Sequence, residues 1–291
     1  MTGRVADSVA VVTGGARGIG EATARRLAEE GADVAVVDVL GERAETVADE
    51  IAADTGRETL AVECDVGEER AVEAMAETVA ERFGSVDILV NNAGIRVDPT
   101  PVTEAGEDSW DRILAVNQKG VAVCAKYLIP LMTGEGVDES GDGERDGRGG
   151  GAGAGVEGTG SVVNVASMGS EVARPEWAQY DSTKGAIVAM TKDMACDHAP
   201  DGVRVNAVSP GYVVTEYHLP DDPERAREYR GEQTTPSADG PGILKRAAEP
   251  REVADAVLFL ASEAASFVTG TNLRVDGGVS AVGTGFDWDP A

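Results

Sequence analysis

Residues 8–39 read SVAVVTGGARGIGEATARRLAEEGADVAVVDV, and this stretch decides the fold. A short apolar run predicts a strand, the glycines after it predict a turn, and the pattern that follows is typical of an amphipathic helix. A second apolar run predicts another strand, which ends at Asp38. A strand, a helix and a strand in this order form a βαβ unit, so the chain is predicted to build a parallel sheet.

The glycines of the turn are Gly14, Gly18 and Gly20, in the spacing G-x-x-x-G-x-G. Gly14 permits a tight turn, and the missing side chains of Gly18 and Gly20 should let a pyrophosphate approach the first helical N–H groups, around Ile19. Because the motif follows a strand and opens a helix, it predicts a dinucleotide site.

Asp38 stands eighteen residues beyond Gly20, where a carboxylate can accept hydrogen bonds from the ribose hydroxyls of the adenosine. A 2'-phosphate at that place would meet a like charge, so Asp38 favours NAD over NADP. Arg17, inside the turn, is either a solvated residue or a contact that recovers some binding of the phosphate.

The alternation of strands and helices continues to the carboxyl end. It predicts helices near 41–54 and 68–83, strands over 59–66, 86–91 and 161–166, a long buried helix over 110–132, and a seventh strand near the end. We therefore expect one α/β domain of the Rossmann type, with a doubly wound, seven-stranded parallel sheet and helices on both faces in three layers.

Polar residues follow two of these strands. Asp65 follows the third strand, and Asn91-Asn92-Ala93-Gly94 follows the fourth. Open parallel sheets bind ligands outside the carboxyl ends of their strands, so these residues should border the cofactor. For Asp65, a plain turn cap is an equally good interpretation.

The chemistry is predicted by residues 167–184, which read SMGSEVARPEWAQYDSTK. If the residues after Trp177 are helical, Tyr180 and Lys184 lie on one face, where the ammonium favours the ionised phenol. Ser167, at the end of a strand, could hydrogen-bond a substrate oxygen held against that phenol. Tyrosine and lysine at this spacing also occur on solvated helix faces, so the pair needs the glycine turn as support.

Composition excludes several other classes. Only two histidines and three scattered cysteines are present, so we expect no metal site and no disulfide framework. No apolar run has the roughly 20 residues of a membrane span, and the first residues lack the features of a signal peptide. A cytoplasmic protein is expected.

The net charge of −27 argues against nucleic acid and anionic membranes as partners, because both are polyanions. A chain with 52 acidic and 25 basic residues repels itself in dilute buffer. At molar salt the Debye length is only about 3 Å, so such a surface becomes tolerable. Our hypothesis is a halophilic protein.

The whole pattern resembles the short-chain dehydrogenase/reductase family, in its compact single-domain branch. Its motifs stand in order over nearly the whole chain: TGGARGIG at 13–20, Asp65, NNAG at 91–94, Asn117, Ser167, Tyr180-x-x-x-Lys184, Pro210-Gly211, and VDGG at 275–278. The resemblance implies an NAD(P)-dependent oxidoreductase that interconverts a secondary alcohol and a ketone by hydride transfer. It also implies a homotetramer or homodimer, built partly from the helices near 108–131 and 178–198.

The resemblance implies a role for each motif. Tyr180 would be the general acid/base, Ser167 would orient the substrate oxygen, Lys184 would assist the phenol and hold the nicotinamide ribose, and Asn117 would support a water relay. Asp65 would lie near the adenine, and Asn91 would pack against the cofactor. The implied cofactor contacts are Gly14, Arg17, Gly18, Ile19, Gly20, Asp38, Asp65, Val66, Asn91, Ala93, Gly94, Tyr180, Lys184, Pro210, Gly211, Val213 and Thr215.

Three segments depart from this core. Residues 134–160 form a glycine-rich acidic insertion, interpreted as flexible or as an interaction arm, and 279–291 form a tail. Residues 216–250 are interpreted as a lid over the substrate. Candidate pocket residues are Arg96, Met168, Trp177, Tyr212, Tyr217, His218 and Leu219, which would suit a sugar, a cyclic alcohol or a 3-hydroxyacyl compound.

The sequence leaves other functions open. A nucleotide-sensing regulator on the same fold would need no serine, tyrosine and lysine set, and a Rossmann-like methyltransferase would have no use for it. Within the family, a dehydratase or epimerase that uses bound NAD is a further alternative, although those relatives are usually longer at the carboxyl end.

Overall fold

The computed structural model describes residues 3–134, 160–220 and 222–282. Its centre is one sheet of seven parallel strands in the order β3-β2-β1-β4-β5-β6-β7. The strands are β1 Val9–Thr13, β2 Asp33–Asp38, β3 Thr59–Glu63, β4 Ile88–Asn91, β5 Ser161–Val165, β6 Arg204–Pro210 and β7 Asn272–Val275. The strand order reverses between β1 and β4, so the carboxyl ends of these two strands border a crevice.

Helices cover both faces of the sheet, as predicted. They are α1 Gly18–Glu29, α2 Gly41–Thr55, α3 Glu69–Phe83, α4 Glu107–Leu114, α5 Gly120–Thr133, α6 Ala178–His198, α7 Pro223–Thr234 and α8 Pro250–Ala261. Helices α1, α2 and α8 pack on one face, and α3, α5 and α6 pack on the other. The predicted Rossmann fold with three layers is confirmed.

The strands are apolar at nearly every position because both of their faces are covered. In β1, Ala10 and Val12 point into the first core, and Val11 points into the second. Val11 pairs with Ala35 of β2 on one side and with Leu89 of β4 on the other. This pairing sets the carboxyl ends of the three strands at one edge of the sheet.

The predicted long helix over 110–132 differs in one respect. Between α4 and α5 the chain forms a π-helical turn, Ala115–Lys119, and Asn117 is at its centre. Such single π turns occur frequently at functional sites. The extra residue in the turn was not predictable from an apolar period.

The departures from the core are only partly described. Gly134 ends α5 in the left-handed conformation, and the insertion between it and Gly160 lies outside the described residues. The segment predicted as a lid contains a 3₁₀ turn, Glu216–His218, and helix α7. The tail begins with a 3₁₀ turn, Val279–Ala281, and its last nine residues lie outside the description. Among the described helices, none is long and apolar enough to cross a membrane.

Candidate active site

The glycine turn is fastened to the loop after β4 by Asn92. The Asn92 side-chain nitrogen donates to the carbonyl oxygens of Thr13, at 3.0 Å, and Gly14, at 2.9 Å. The backbone N–H groups of Asn92 and Ala93 both donate to the Thr13 hydroxyl, each at 3.1 Å. These bonds join the ends of β1 and β4 at the crevice.

Close packing around the turn explains two of its glycines. Gly14 has φ +63°, and a Cβ there would lie 2.8 Å from the Cα of Ala93. A Cβ on Gly20 would overlap the carbonyl oxygen of Gly14 and lie 2.5 Å from the side-chain nitrogen of Asn92. Close packing within the turn therefore requires glycine at this position, and the approach of a pyrophosphate to Gly20 stays a prediction.

Gly18 borders the loop after β6. It has φ +60°, and a Cβ there would lie 3.2 Å from the Thr215 side chain. Thr215 belongs to the loop after β6, whose Gly211 packs against the backbone of Asp276 in the VDGG motif. Val213, in the same loop, forms an isolated bridge with Ala248. Residues from Pro210 to Thr215 thus extend from the end of β6 toward the glycine turn.

Asp38 is buried and makes contact with the turn. One carboxylate oxygen accepts from the backbone N–H of Ala16 at 3.0 Å, and the other accepts from the N–H of Leu40 at 3.0 Å. An ionised carboxylate has about four lone-pair positions, so Asp38 can still accept bonds from a ribose. Ala16 is also bound by Arg43, because the Arg43 Nε donates to the Ala16 carbonyl oxygen at 3.2 Å.

Three of the predicted cofactor residues make contacts with other residues of the protein. Asp65 accepts from the N–H of Gly67 at 2.9 Å, which is the turn cap considered above. Val66 is buried against Gly120 of α5. The Asn91 side chain is buried and donates to the side-chain oxygen of Asn164 at 2.9 Å, and its own side-chain oxygen has no hydrogen-bond partner among the described residues.

Lys184 and Tyr180 share one face of α6, as the spacing predicts. The Lys184 ammonium is buried, donates to the carbonyl oxygen of Val165 at 2.9 Å, and lies 5.7 Å from the centroid of the Tyr180 ring. Burial lowers the pKa of Lys184, and a charge on the Tyr180 phenolate acts in the opposite direction.

Asn117 and Lys184 both approach Gly94. A Cβ on Gly94 would lie 3.4 Å from the Asn117 side-chain oxygen and 3.6 Å from the Lys184 ammonium nitrogen. The Asn117 amide also pairs with both backbone groups of Ile95, accepting from the N–H at 2.7 Å and donating to the carbonyl oxygen at 2.9 Å. The π-helical turn thus supplies a fully buried amide that orders the loop after β4.

Ser167 follows β5 and caps the 3₁₀ turn Met168–Ser170. Its hydroxyl oxygen accepts from the Gly169 N–H at 3.2 Å, and its backbone carbonyl accepts from the Ser170 hydroxyl at 2.7 Å. Because Lys184 bonds to Val165, two residues before Ser167, the serine, the lysine and the tyrosine lie at the same edge of the sheet.

The candidate pocket residues come from three loops. Arg96, which is exposed, lies 3.3 Å from the Nε2 atom of His218, and the Nδ1 atom of that histidine lies 3.2 Å from the Thr215 hydroxyl. Burial and the Arg96 charge lower the pKa of His218. Burial raises the pKa of Tyr212 to about 12. Met168 is buried, Trp177 and Leu219 are partly buried, and Tyr217 lies in the 3₁₀ turn with His218.

Sequence reasoning missed the residues that hold these groups in place. Thr13 and Asn92 stood inside quoted motifs, and their polar side chains beside glycines were a usable signal. Arg174 and Asp181 were not singled out, because their pairing across a loop follows no sequence period.

The arrangement fits a dinucleotide at the crevice. The first N–H groups of α1 have no partner inside the helix, so they can bind a phosphate. Gly18 and Gly94 leave open the places beside Thr215 and Lys184 that a Cβ would fill. Arg17, at the start of α1, adds a positive charge to this rim.

The chain is similar to known proteins over nearly its whole length. Residues 8–142 match the family described as short chain dehydrogenase, and 152–280 match one described as enoyl-(acyl carrier protein) reductase. The chain is 39% identical to the cis-4-hydroxycyclohexanecarboxylate dehydrogenase of Sinomonas cyclohexanicum, over 95% of this chain and 98% of that one. It is 37% identical to the meso-2,3-butanediol dehydrogenase of Serratia marcescens, over 96% of each chain.

A solved structure has the same fold. The 3-ketoacyl-(acyl-carrier-protein) reductase of Brucella melitensis, in complex with NADH, superposes with a TM-score of 0.76 at 34% identity. The superposition covers 95% of this chain and 99% of that one.

Proposed function

The chain belongs to the short-chain dehydrogenase/reductase family, and we propose that it is an NAD-preferring dehydrogenase of a small cyclic secondary alcohol. It acts on CH–OH donors and interconverts a secondary alcohol and a ketone. The observation that supports the proposed site most strongly is that Lys184 and Asn117 both approach Gly94, with the Lys184 ammonium beside the Tyr180 ring.

In the proposed mechanism, Tyr180 is the general acid/base. In oxidation its phenolate oxygen takes the hydroxyl proton of the substrate, and in reduction the same oxygen returns it. Ser167 donates a hydrogen bond to the substrate oxygen, and the buried Lys184 ammonium lies beside the Tyr180 ring. Asn117 holds the loop at Ile95 and supports proton exchange through Lys184. The nicotinamide, when bound, accepts or supplies the hydride.

The cofactor would lie across the crevice between β1 and β4. We propose contacts with the turn, the ends of the strands and the loop after β6, from Gly14, Arg17, Gly18, Ile19, Asp38, Asp65, Val66, Asn91, Ala93, Gly94, Pro210, Gly211, Val213 and Thr215. Gly20 would act through the shape of the turn. Tyr180 and Lys184 would complete the set beside the nicotinamide ribose.

The preference for NAD is attributed to Asp38, and Asp38→Asn tests it. Asparagine keeps an oxygen that can accept from Ala16 but removes the charge, so a 2'-phosphate is no longer repelled. With Arg17 and Arg43 close to the turn, we expect the ratio of kcat/KM for NADP to that for NAD to rise about 10-fold or more, which corresponds to about 1.4 kcal/mol.

Dissociation constants for both cofactors, measured by calorimetry, should show the same change. Asp33→Asn is the matched control, because its carboxylate lies at the amino end of the same strand, where it pairs with Arg57, and should leave the ratio unchanged. An unchanged ratio in Asp38→Asn would remove the basis for the preference.

The substrate class rests on the relatives and on the aromatic residues near Tyr180. One relative is named for a hydroxylated cyclohexane ring and another for an acyclic diol. The Trp177 and Tyr180 rings pack edge to face, with centroids 5.7 Å apart, and we propose that they contact the ring of the substrate. Absorbance at 340 nm with cyclohexanols, meso-2,3-butanediol, glucose and a 3-hydroxyacyl thioester tests this. A higher kcat/KM for any acyclic alcohol than for every cyclic alcohol of this panel would contradict the proposal.

Salt dependence follows from the charge. We propose that the protein is adapted to high salt, and we expect its thermal unfolding midpoint to rise steadily from dilute buffer to molar KCl. The reason is that screening weakens repulsion among the excess carboxylates. A sucrose series of equal osmolality is the control for solvent exclusion. Full stability in dilute buffer would count against the hypothesis.

Assembly and location are also proposals. A groove between the outer sides of α5 and α6, lined by Ala122, Ile129, Met190 and Met194 among others, supports a second copy as the partner. We propose a homotetramer or homodimer in the cytoplasm.

A further inference from the structure

Arg174 lies in the loop before α6 and is held by Asp181, the residue directly after Tyr180. Its guanidinium forms a two-pronged pair with the Asp181 carboxylate, in which Nη2 bonds to Oδ1 and Nε lies 3.3 Å from Oδ2. Only 12% of the Arg174 side chain and 14% of the Asp181 side chain are exposed. Such a pair fixes the direction as well as the position of the guanidinium plane.

The same guanidinium faces two aromatic rings. Its central carbon lies 4.2 Å from the ring centroid of Trp177 and 5.7 Å from that of Tyr180. The two rings cross at 85°. Tyr180 is therefore bordered by Arg174, by Trp177 and by Lys184, whose ammonium is 5.7 Å from the Tyr180 centroid.

The surrounding backbone makes room for this pair. A Cβ on Gly169 would overlap an Asp181 carboxylate oxygen and lie 2.7 Å from the Arg174 Nη2 atom. On the other side, Glu176 has φ +68°, and its carbonyl oxygen accepts from the N–H of Thr100 at 2.8 Å. The loop that carries Arg174 is thus held to the segment that follows β4.

Stability alone does not account for a buried ion pair. The cost of removing both charges from water can exceed their attraction, so apolar residues of similar size often serve as well or better. A guanidinium that a carboxylate holds in one plane, and that packs against a ring, restricts the movement of that ring. A reacting group misplaced by about 1 Å can slow a reaction about 10²-fold.

We propose that the Arg174–Asp181 pair is a clamp that positions the Tyr180 ring for proton transfer. The inference rests on the proposed function, because that proposal gives Tyr180 its task. Arg174 is a positioning residue: it acts through Tyr180, Trp177 and Asp181.

The test is the double variant Arg174→Met/Asp181→Leu. It removes both buried charges together, so neither remains unpaired, and we expect the unfolding midpoint to be unchanged or higher. The expected kcat is about 10- to 10²-fold lower, with a dissociation constant for NAD within 2-fold of the parent. The primary deuterium isotope effect on kcat should rise, because the chemical step becomes slower than the others. Arg174→Lys is the second variant: it keeps the charge but loses the fork and the stacking, and should also lower kcat.

Arg82→Met is the matched control. Arg82 also faces a ring, 5.5 Å from the centroid of Phe83, and pairs with Glu58 at 3.0 Å, but it lies at the end of α3 near the amino end of β4. Its kcat should equal that of the parent. A parent-like kcat and isotope effect in the double variant would overturn the clamp. So would equal losses of kcat, NAD affinity and stability, which indicate a structural role.

Tyr180→Phe in the same assays separates the two proposals. An inactive Tyr180→Phe with an active double variant contradicts the clamp alone. An active Tyr180→Phe contradicts the proposed function itself.

Discussion

Tyr180→Phe is expected to lower kcat by about 10²- to 10⁴-fold, which is the usual contribution of a general acid/base. The change removes one oxygen and keeps the ring. The edge-to-face contact with Trp177 and the approach of the Lys184 ammonium to the ring both remain. We therefore expect the unfolding midpoint and the dissociation constant for NAD to stay at their parent values.

The measurement is kcat and KM for the best alcohol of the substrate panel, with NAD binding followed by calorimetry. Tyr127→Phe is the control: Tyr127 lies on α5, and its hydroxyl is 3.4 Å from the Lys126 ammonium, away from the crevice. A parent-like kcat in Tyr180→Phe would refute the assignment. Loss of NAD binding and stability together with kcat would indicate a tyrosine that supports the fold only.

The fold could be predicted because its signals are local. Apolar runs of four to six residues, glycine turns and helical periods are properties of neighbouring residues. The parallel arrangement then follows, because successive strands joined by helices are covered on both faces. The prediction lost accuracy at the π-helical turn around Asn117, where one extra residue in a helix leaves no mark on an apolar pattern.

The candidate site was predictable where one element carries both partners. Tyr180 and Lys184 are four residues apart on α6, so helix geometry alone brings them together. Lys184 and Asn117 both approach Gly94, and the three residues belong to elements that are far apart in sequence. Only the resemblance to a family indicated it beforehand.

The supporting contacts were not predictable for a related reason. Asp38 was expected to face the ribose, and its bond to Ala16 adds a role in shaping the turn. Asn91 and Asn92 are adjacent, yet Asn91 points to Asn164 within the sheet and Asn92 bonds to the turn. Alternation along a strand assigns them to opposite faces, but the partners on those faces depend on the packed fold.

Gly20 provides the second large expected effect. Gly20→Ala would place a Cβ against the carbonyl oxygen of Gly14, which is backbone and cannot rotate away. Unlike Gly14 and Gly18, Gly20 does not have a positive φ, so the substitution adds bulk without backbone strain. The start of α1 must then move away from the loop after β4, and the Asn92 bonds to Thr13 and Gly14 lengthen.

We expect Gly20→Ala to weaken NAD binding about 10²-fold, or about 2.7 kcal/mol, because the N–H groups that would hold the pyrophosphate shift with the helix. Overpacking of this kind should also lower the free energy of unfolding by about 1–3 kcal/mol. Calorimetry with NAD and chemical denaturation measure the two effects.

Gly231→Ala is the control, because its Cβ would meet nothing within 4 Å on α7, and alanine should stabilise that helix by up to about 1 kcal/mol. If Gly20→Ala binds NAD as tightly as the parent, the turn tolerates the added Cβ. The close approach of Gly14 to Gly20 then does not determine the shape of the cofactor site.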